Sequence, residues 1–269
     1  MANAKDHVSK VDVMKEDFGW DIPVESVPIP SDGIIYDSGS RLYKKQRVKI
    51  KAMTAREEDI LSSSALLKEG TVLDHLVNSC LMEDFDSTEM LIGDRNAVLI
   101  AVRITGYGPE YKIISTCEKC SHKNAVDVDL SALEIKRLKI KPVEEGKNLF
   151  AFKLPVTKKE ILFSFPTVKQ DRENTIKNKN LSKFVKSNIE NNVTDRLEMA
   201  IKQIGGVTDR NKIKHFVMNM PAYDSRSLRK FMTENEPGME MTWEYDCESC
   251  GAHNNTNVPI TANFFWPGT

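Results

Sequence analysis

Four of the five cysteines in this 269-residue chain fall into two Cys-x-x-Cys pairs, Cys117/Cys120 and Cys247/Cys250, and Cys80 stands apart. A Cys-x-x-Cys turn directs two thiolates and several backbone N–H groups into one hollow, so each pair supplies half of a tetrahedral four-sulfur zinc site. In a reducing compartment paired cysteines more often bind metal or carry redox chemistry than form structural disulfides. Two rival chemistries stay open. A thioredoxin-like pair needs its Cys-x-x-Cys at a helix N-terminus, where the dipole lowers a thiol pKa, whereas both pairs here lie between strand-like segments. An iron–sulfur centre also takes four thiolates.

The surroundings of the pairs repeat with an offset of 130 residues. The first reads Ser-Thr-Cys-Glu-Lys-Cys-Ser-His-Lys-Asn-Ala-Val-Asp-Val-Asp-Leu, and the second Tyr-Asp-Cys-Glu-Ser-Cys-Gly-Ala-His-Asn-Asn-Thr-Asn-Val-Pro-Ile. Both read as strand, knuckle, strand, with Ser121 or Gly251 completing the tight turn. His122 and His253 follow their pairs and are alternative ligands, but four cysteines already saturate a tetrahedral ion, so both are read as exposed turn residues. The 126 residues between the pairs far exceed the loop of a short zinc finger. Loop-closure entropy grows only logarithmically with length, so the insertion is tolerable. The expectation is a split zinc ribbon, residues 111–130 plus 239–269, that holds one structural zinc on Cys117, Cys120, Cys247 and Cys250. Residues 131–238 are then an inserted β-then-helical subdomain. A closed four-thiolate site keeps no open coordination position, so it staples two segments rather than catalysing.

The elements that must position these cysteines read as α+β. Residues 48–53 alternate as a half-buried strand. Thr54 is an N-cap, with Glu57 three residues on and Glu58 and Asp59 in the first turn, and Gly70 closes that helix. Thr71 opens a second helix with Leu73, Leu76, Val77 and Cys80 at three-to-four spacing, which makes Cys80 a buried small hydrophobe. Asp86 or Ser87 caps a short helix, and Asp94 begins an apolar helix broken at Gly106-Tyr107-Gly108-Pro109. Residues 31–110 thus form a mainly helical subdomain, and 111–116 run as a strand into the first pair. Strands follow at 125–130, 149–154 and 160–165, the last two closed by Pro155 and Pro166. Helices are expected over about 168–190, from Thr194-Asp195 with Leu197, Ala200, Ile201 and Ile204 on one face, after Thr208-Asp209, and from Asp224. Residues 1–30 read as an extended arm whose spaced Phe18, Trp20 and Ile22, with Trp20 as anchor, suit a partner's groove or sheet edge, or equally the arm's own domain.

Composition narrows the function. The 38 Lys and Arg nearly cancel the 39 Asp and Glu, so no nucleic-acid-binding stripe shows in the net balance. The longest apolar run, residues 97–102, is far short of the ~20 residues of a membrane-spanning helix. The N-terminus lacks the apolar h-region of a secretory signal, which points to a cytoplasm. No Walker loop, Gly-x-Gly-x-x-Gly, Gly-x-Ser-x-Gly or His-Glu-x-x-His occurs, and His7, His75 and His215 are scattered. The carboxylates at 57–59 suit a helix start better than catalysis, so the chain is read as no enzyme and as having no small-molecule substrate.

One further set of residues carries a resemblance. Pro28-Ile29-Pro30-Ser31-Asp32-Gly33 with Tyr36, the 49–53 strand entering Thr54-Ala55-Arg56-Glu57-Glu58-Asp59, and Asp94 to Arg103 followed by Gly106-Tyr107-Gly108 and Tyr111 form one series. With the two cysteine pairs, it resembles the baseplate hub proteins of T-even-like contractile-tailed phages, from about residue 27 onward. The resemblance implies a hub component or hub assembly factor, located in the virion or host cytoplasm and binding other baseplate hub or tail proteins. The alternative is a zinc-ribbon nucleic-acid-binding accessory protein. Against it, residues 117–130 offer Lys119 and Lys123 with no aromatic, and 247–260 offer neither Lys, Arg nor aromatic.

Overall fold

A computed structural model of the chain describes residues 19–184 and 192–265. Strand β1 (Val24–Pro28) pairs antiparallel with β2 (Arg47–Lys51), Val27 opposite Val48. In β2 the alternation works as its pattern dictates, with Val48 and Ile50 buried and Arg47 and Lys49 in solvent. The end of the N-terminal arm is therefore a strand of the body. Ahead of it Trp20 is exposed and Ile22 half-buried, while Phe18 lies outside the described residues.

Thr54 caps α1 (Ala55–Ser62) in a capping box. Its N–H and hydroxyl both donate to Glu57 Oε2, at 2.9 and 2.6 Å. The other carboxylate oxygen accepts from Lys51 Nζ at 3.0 Å and Ser79 Oγ at 2.6 Å. Burial alone would raise the Glu57 pKa, but the hydrogen bonds from Ser79, Thr54 and Lys51 outweigh it and hold the group at about 2. Its role is to tie strand to helices. The single helix expected to reach Gly70 is interrupted at Ser63, whose extended backbone ends α1 and starts α2 (Ser64–Glu69). The reason is the run of serines at 62–64, which compete for backbone groups and favour caps over helix interiors. Gly70 closes α2 in the left-handed conformation, and α3 (Val72–Cys80) buries Val72, Leu76, Val77 and Cys80.

The central element is α4 (Ile92–Tyr107), whose Val98, Leu99 and Val102 are fully buried. Such a helix is apolar around much of its circumference because it is covered on several sides. Near its start, Asp94 Oδ1 accepts the Ser31 N–H at 2.9 Å, and Oδ2 accepts the Ser31 and Tyr36 hydroxyls at 2.6 and 2.5 Å. Tyr36 Oη in turn accepts the Leu91 N–H at 2.8 Å. The 29–36 loop is thereby fastened to the helix. Burial pushes the Asp94 carboxyl up to about 6, against the pull of the Ser31 and Tyr36 hydrogen bonds. A carboxyl raised in the folded state favours folding most below its unfolded pKa, near 4, and loses that contribution as the pH rises through about 6. Relative to wild type, Asp94→Asn should therefore cost about 2 kcal/mol more at pH 4 than at pH 7. Urea unfolding at the two pH values measures this, and parallel profiles would contradict it.

The far end of α4 is held by Arg103, fully buried, whose guanidinium donates to three backbone carbonyls. These are Phe264 at 2.9 Å, Gly108 at 2.8 Å and Glu110 at 3.1 Å. They join the helix end, the start of β3 (Glu110–Thr116) and the C-terminal 3₁₀ turn Ala262–Phe265. Strand β4 (Lys123–Asp129) returns antiparallel to β3. Strand β5 (Ile135–Lys136) pairs with β9 (Gly238–Met239), and β10 (Thr242–Asp246) pairs with β11 (His253–Asn257).

Between β5 and β9 lies a module with the three-stranded antiparallel sheet β6 (Phe150–Lys153), β7 (Glu160–Phe163) and β8 (Ile201–Ile204). Its helices are α5 (Val168–Phe184), α6 (Asn192–Ala200), α7 (Arg210–Met218) and α8 (Ala222–Asn235). Residues 185–190 of the expected first helix lie outside the described residues. The helix expected from Thr194 through Ile204 stops at Ala200, and Ile201 and Ile204 pair with Phe163 and Ile161 of β7 instead. Apolar positions 197, 200, 201 and 204 satisfy a helical stripe, but the open edge of β7 and the β-branched isoleucines favour a strand from 201. Asp224 is not a cap. It lies in the first turn of α8, after Pro221 at the cap position, fully buried, and its carboxylate accepts the Val156 and Thr157 N–H groups at 2.7 and 3.0 Å.

Candidate metal centre

Each cysteine pair occupies the turn of a two-stranded hairpin, and the two turns match atom for atom. Thr116 of β3 lies opposite Lys123 of β4, and Asp246 of β10 opposite His253 of β11. Cys117 N–H donates to His122 O at 2.9 Å and Ser121 N–H to Cys117 O at 2.9 Å. In the second knuckle Cys247 N–H donates to Ala252 O at 2.9 Å and Gly251 N–H to Cys247 O at 2.8 Å. The residue after each pair is left-handed, Ser121 at φ 59° and Gly251 at φ 64°. Glycine takes that conformation freely, whereas a serine does so at a cost of about 1 kcal/mol.

The knuckles face each other. Cys117 Sγ lies 3.7 Å from Cys250 Sγ, Cys120 Sγ lies 3.6 Å from Cys247 Sγ, and all four sulfurs fall within 4.8 Å of one another. A tetrahedral ion with ~2.3 Å zinc–sulfur bonds separates its sulfurs by ~3.8 Å, so the spacing fits such an ion. A disulfide needs ~2.05 Å, and all four cysteines are free thiols. Cys117 and Cys247 are buried, while Cys120 and Cys250 are exposed. The backbone N–H of Cys120, with that of Lys119, lowers the Cys117 thiol to about 6. At Cys120 the His122 N–H pulls the same way, but the neighbouring sulfur of Cys250, burial and the sulfurs of Cys247 and Cys117 prevail and push it up to about 12. Four thiolates so close repel one another, and a divalent cation is the group that stabilises all four in ionised form.

Two residues that the spacing of the cysteines did not single out lock the halves together. Asn254 Oδ1 accepts the Glu118 N–H at 3.1 Å, and Asn124 Oδ1 accepts the Glu248 N–H at 3.0 Å. Each asparagine also donates within its own hairpin, Asn124 to His122 O at 3.2 Å and Asn254 to Ala252 O at 2.6 Å. Both are buried. Their signal was present in the repeat, because an asparagine stands at the same place in both copies. Ser115 and Tyr245 occupy equivalent positions too, and the Tyr245 hydroxyl donates to Ser115 Oγ at 3.0 Å. Asn254→Ala should remove both bonds of this buried amide, to the Glu118 N–H and to Ala252 O, and cost about 1–3 kcal/mol, read as a lower thermal midpoint. An unchanged midpoint would show that the crossing bonds do not support the fold.

His253 does not face the sulfurs. Its ring lies 3.0 Å from Asp246 Oδ1 and 3.5 Å from Glu244 Oε2, and the Asp246 contact raises its pKa. His122 is exposed. Among the described residues, the four cysteines are the group of His, Cys, Asp and Glu side chains that converges in metal-binding geometry. No described helix is long and apolar enough to cross a membrane.

A family model described as T4 bacteriophage base plate protein matches residues 38–266 of this chain. Searches of curated proteins and of solved structures found no match.

Proposed function

We propose that this chain, which belongs to the T4 bacteriophage base plate protein family, is a structural or assembly component of the baseplate hub. It works by binding other hub or tail proteins, in the virion or in the host cytoplasm during assembly. A zinc ion on Cys117, Cys120, Cys247 and Cys250 staples its two distant hairpins. The observation that carries this reading is the pairing of two equivalent knuckles, distant in sequence, into one four-sulfur cluster within a base plate family member.

An ion held by four thiolates is coordinatively closed, so what it supplies is mechanical rigidity rather than an open catalytic position. The knuckle surface favours protein over nucleic acid. Glu118, Glu244, Asp246 and Glu248 are exposed around the cluster, and that charge repels a phosphate backbone. The N-terminal arm adds a contact surface, with Trp20 at 49% exposure and Ile22 half-buried, while Phe18 before them lies outside the described residues.

The test is to mix the purified chain with baseplate hub and tail proteins and follow co-elution on gel filtration. Co-elution with at least one of them is the expected result, and separate elution from all of them would overturn the reading. Elemental analysis of protein purified without chelator should find about one zinc per chain.

A further inference from the structure

The near-zero net charge hides a segregation of charge along the fold. Residues 110–136 and 236–257, which build the knuckles and their stalk, carry ten Asp and Glu against four Lys and no Arg. The β6–β7 turn with α7 and most of α8 is the reverse. Residues 153–160 and 205–230 carry nine Lys and Arg against three acids, and one of these, Asp224, is buried beneath the surface.

That basic part also exposes large apolar side chains. Val156 in the β6–β7 turn is 51% exposed, and Met218 and Tyr223 at the α7–α8 corner are each 65% exposed. The turn and the corner are one surface, because Asp224 of α8 accepts the N–H groups of both Val156 and Thr157. Behind them Phe152 packs on Phe231, ring centroids 4.7 Å apart. A buried carboxylate and a packed aromatic pair, its rings tilted by 34°, therefore hold this surface in a fixed shape before any partner arrives, which lowers the ordering cost of binding.

The surface also lies at the end of α8 remote from the stalk. The far end of α8 is tied to the stalk, since Lys136 Nζ donates to Thr233 O. The helix rises ~15 Å between Tyr223 and Thr233, so the corner stands about that far from the contact with β5.

We propose that this outer end of the inserted module is a docking surface for an acidic protein partner whose contact face has an apolar centre. The inference rests on the protein-binding role proposed above and assigns that role to a particular surface. Exposed Lys158 and Lys159 of the turn and Arg226, one turn along α8 from Tyr223, form a basic rim that steers and registers carboxylates. Val156, Met218 and Tyr223 form the apolar middle, with tyrosine and methionine among the side chains enriched at protein interfaces. A phosphate backbone would use the rim but gain little from an exposed valine and methionine, so a protein fits better than a nucleic acid.

The test uses the full chain, the hub or tail protein that co-elutes with it, and two double variants. One is Met218→Ser with Tyr223→Ser, and the other is Lys159→Glu with Arg226→Glu. All four side chains are exposed, so unfolding midpoints should match wild type, which the same experiment checks. The apolar variant should bind the partner at least about thirtyfold more weakly. The charge-reversed variant should bind about tenfold more weakly at low salt, with the deficit shrinking as salt rises. If wild type co-elutes with a partner and both variants bind it equally well, the surface is wrong while the protein-binding role stands. If wild type co-elutes with no hub or tail protein, the role fails and the surface with it. Retention of a duplex DNA oligonucleotide that is lost only on charge reversal would overturn the inference in favour of nucleic acid. Concentration-dependent self-association abolished by the apolar variant would overturn it in favour of a second copy of the chain.

Discussion

Replacing Cys247 with Ser is expected to reduce bound zinc from about one per chain to near zero and to destabilise the protein by about 4 kcal/mol or more. The cause lies in the geometry of the cluster. Cys247 Sγ is 3.6 Å from Cys120 Sγ, on the opposite hairpin, so its loss opens the tetrahedron across the junction rather than within one knuckle. Three sulfurs remain, and the affinity of the site falls with the fourth. Metal-binding free energy is folding free energy wherever the unfolded chain offers no preformed site, and here the halves lie 126 residues apart. Chelation of the wild-type protein should reproduce the loss, and the variant should become insensitive to chelator. Elemental analysis and thermal unfolding with and without chelator check both statements. Unchanged stability in the variant would show that no metal joins the knuckles.

Gly93→Ala is expected to destabilise the fold by about 3 kcal/mol or more, although alanine is the better helix former by ~1 kcal/mol. The second residue of α4 touches the chain where it leaves the inserted module for the second knuckle. A Cβ at Gly93 would lie 1.9 Å from Pro237 O, 2.8 Å from Gly238 Cα and 2.9 Å from Pro237 C. All three are backbone atoms, so no side-chain rotation relieves the clash. Gly238 answers with its own lack of a side chain, since a Cβ there would lie 3.3 Å from Gly93 Cα. The substitution must push β9 away from α4, and β9 leads within a few residues into β10 and Cys247. Denaturant unfolding and the rate of zinc release to a chelator should therefore both change. A variant with wild-type midpoint and wild-type zinc release would refute the close packing of β9 on α4.

Much of the local structure was legible in the residues alone. The capping box at Thr54 and Glu57, the left-handed Gly70, the cap at Asp209 and the buried Cys80 all follow from short-range rules that tertiary context did not override. The misread elements are those that answer to distant neighbours. The stripe Leu197, Ala200, Ile201 and Ile204 is compatible with helix or strand until β7 supplies an edge to pair with. Asp224 has the composition of a cap, but two turn amides beneath α8 need a buried acceptor and claim it. Asp94 stands in the first turn of its apolar helix as read, and what the sequence does not disclose is the network it closes with Ser31 and Tyr36.

The candidate site divides along the same line. That two Cys-x-x-Cys knuckles repeat, and that each can hold two sulfurs, was determined by sequence, because the turn fixes its own geometry over five residues. That the knuckles meet with equivalent sulfurs 3.6 and 3.7 Å apart was decided only by the tertiary structure. So was the reciprocal use of Asn124 and Asn254, which spans the junction and has no local counterpart. The segregation of charge between the knuckles and the β6–β7 turn with α7 and α8 likewise disappears in the net total, since a sum over the chain carries no positions. Local hydrogen bonds are written between near neighbours, whereas a junction depends on how α4, β9 and the stalk strands carry two distant hairpins to one place.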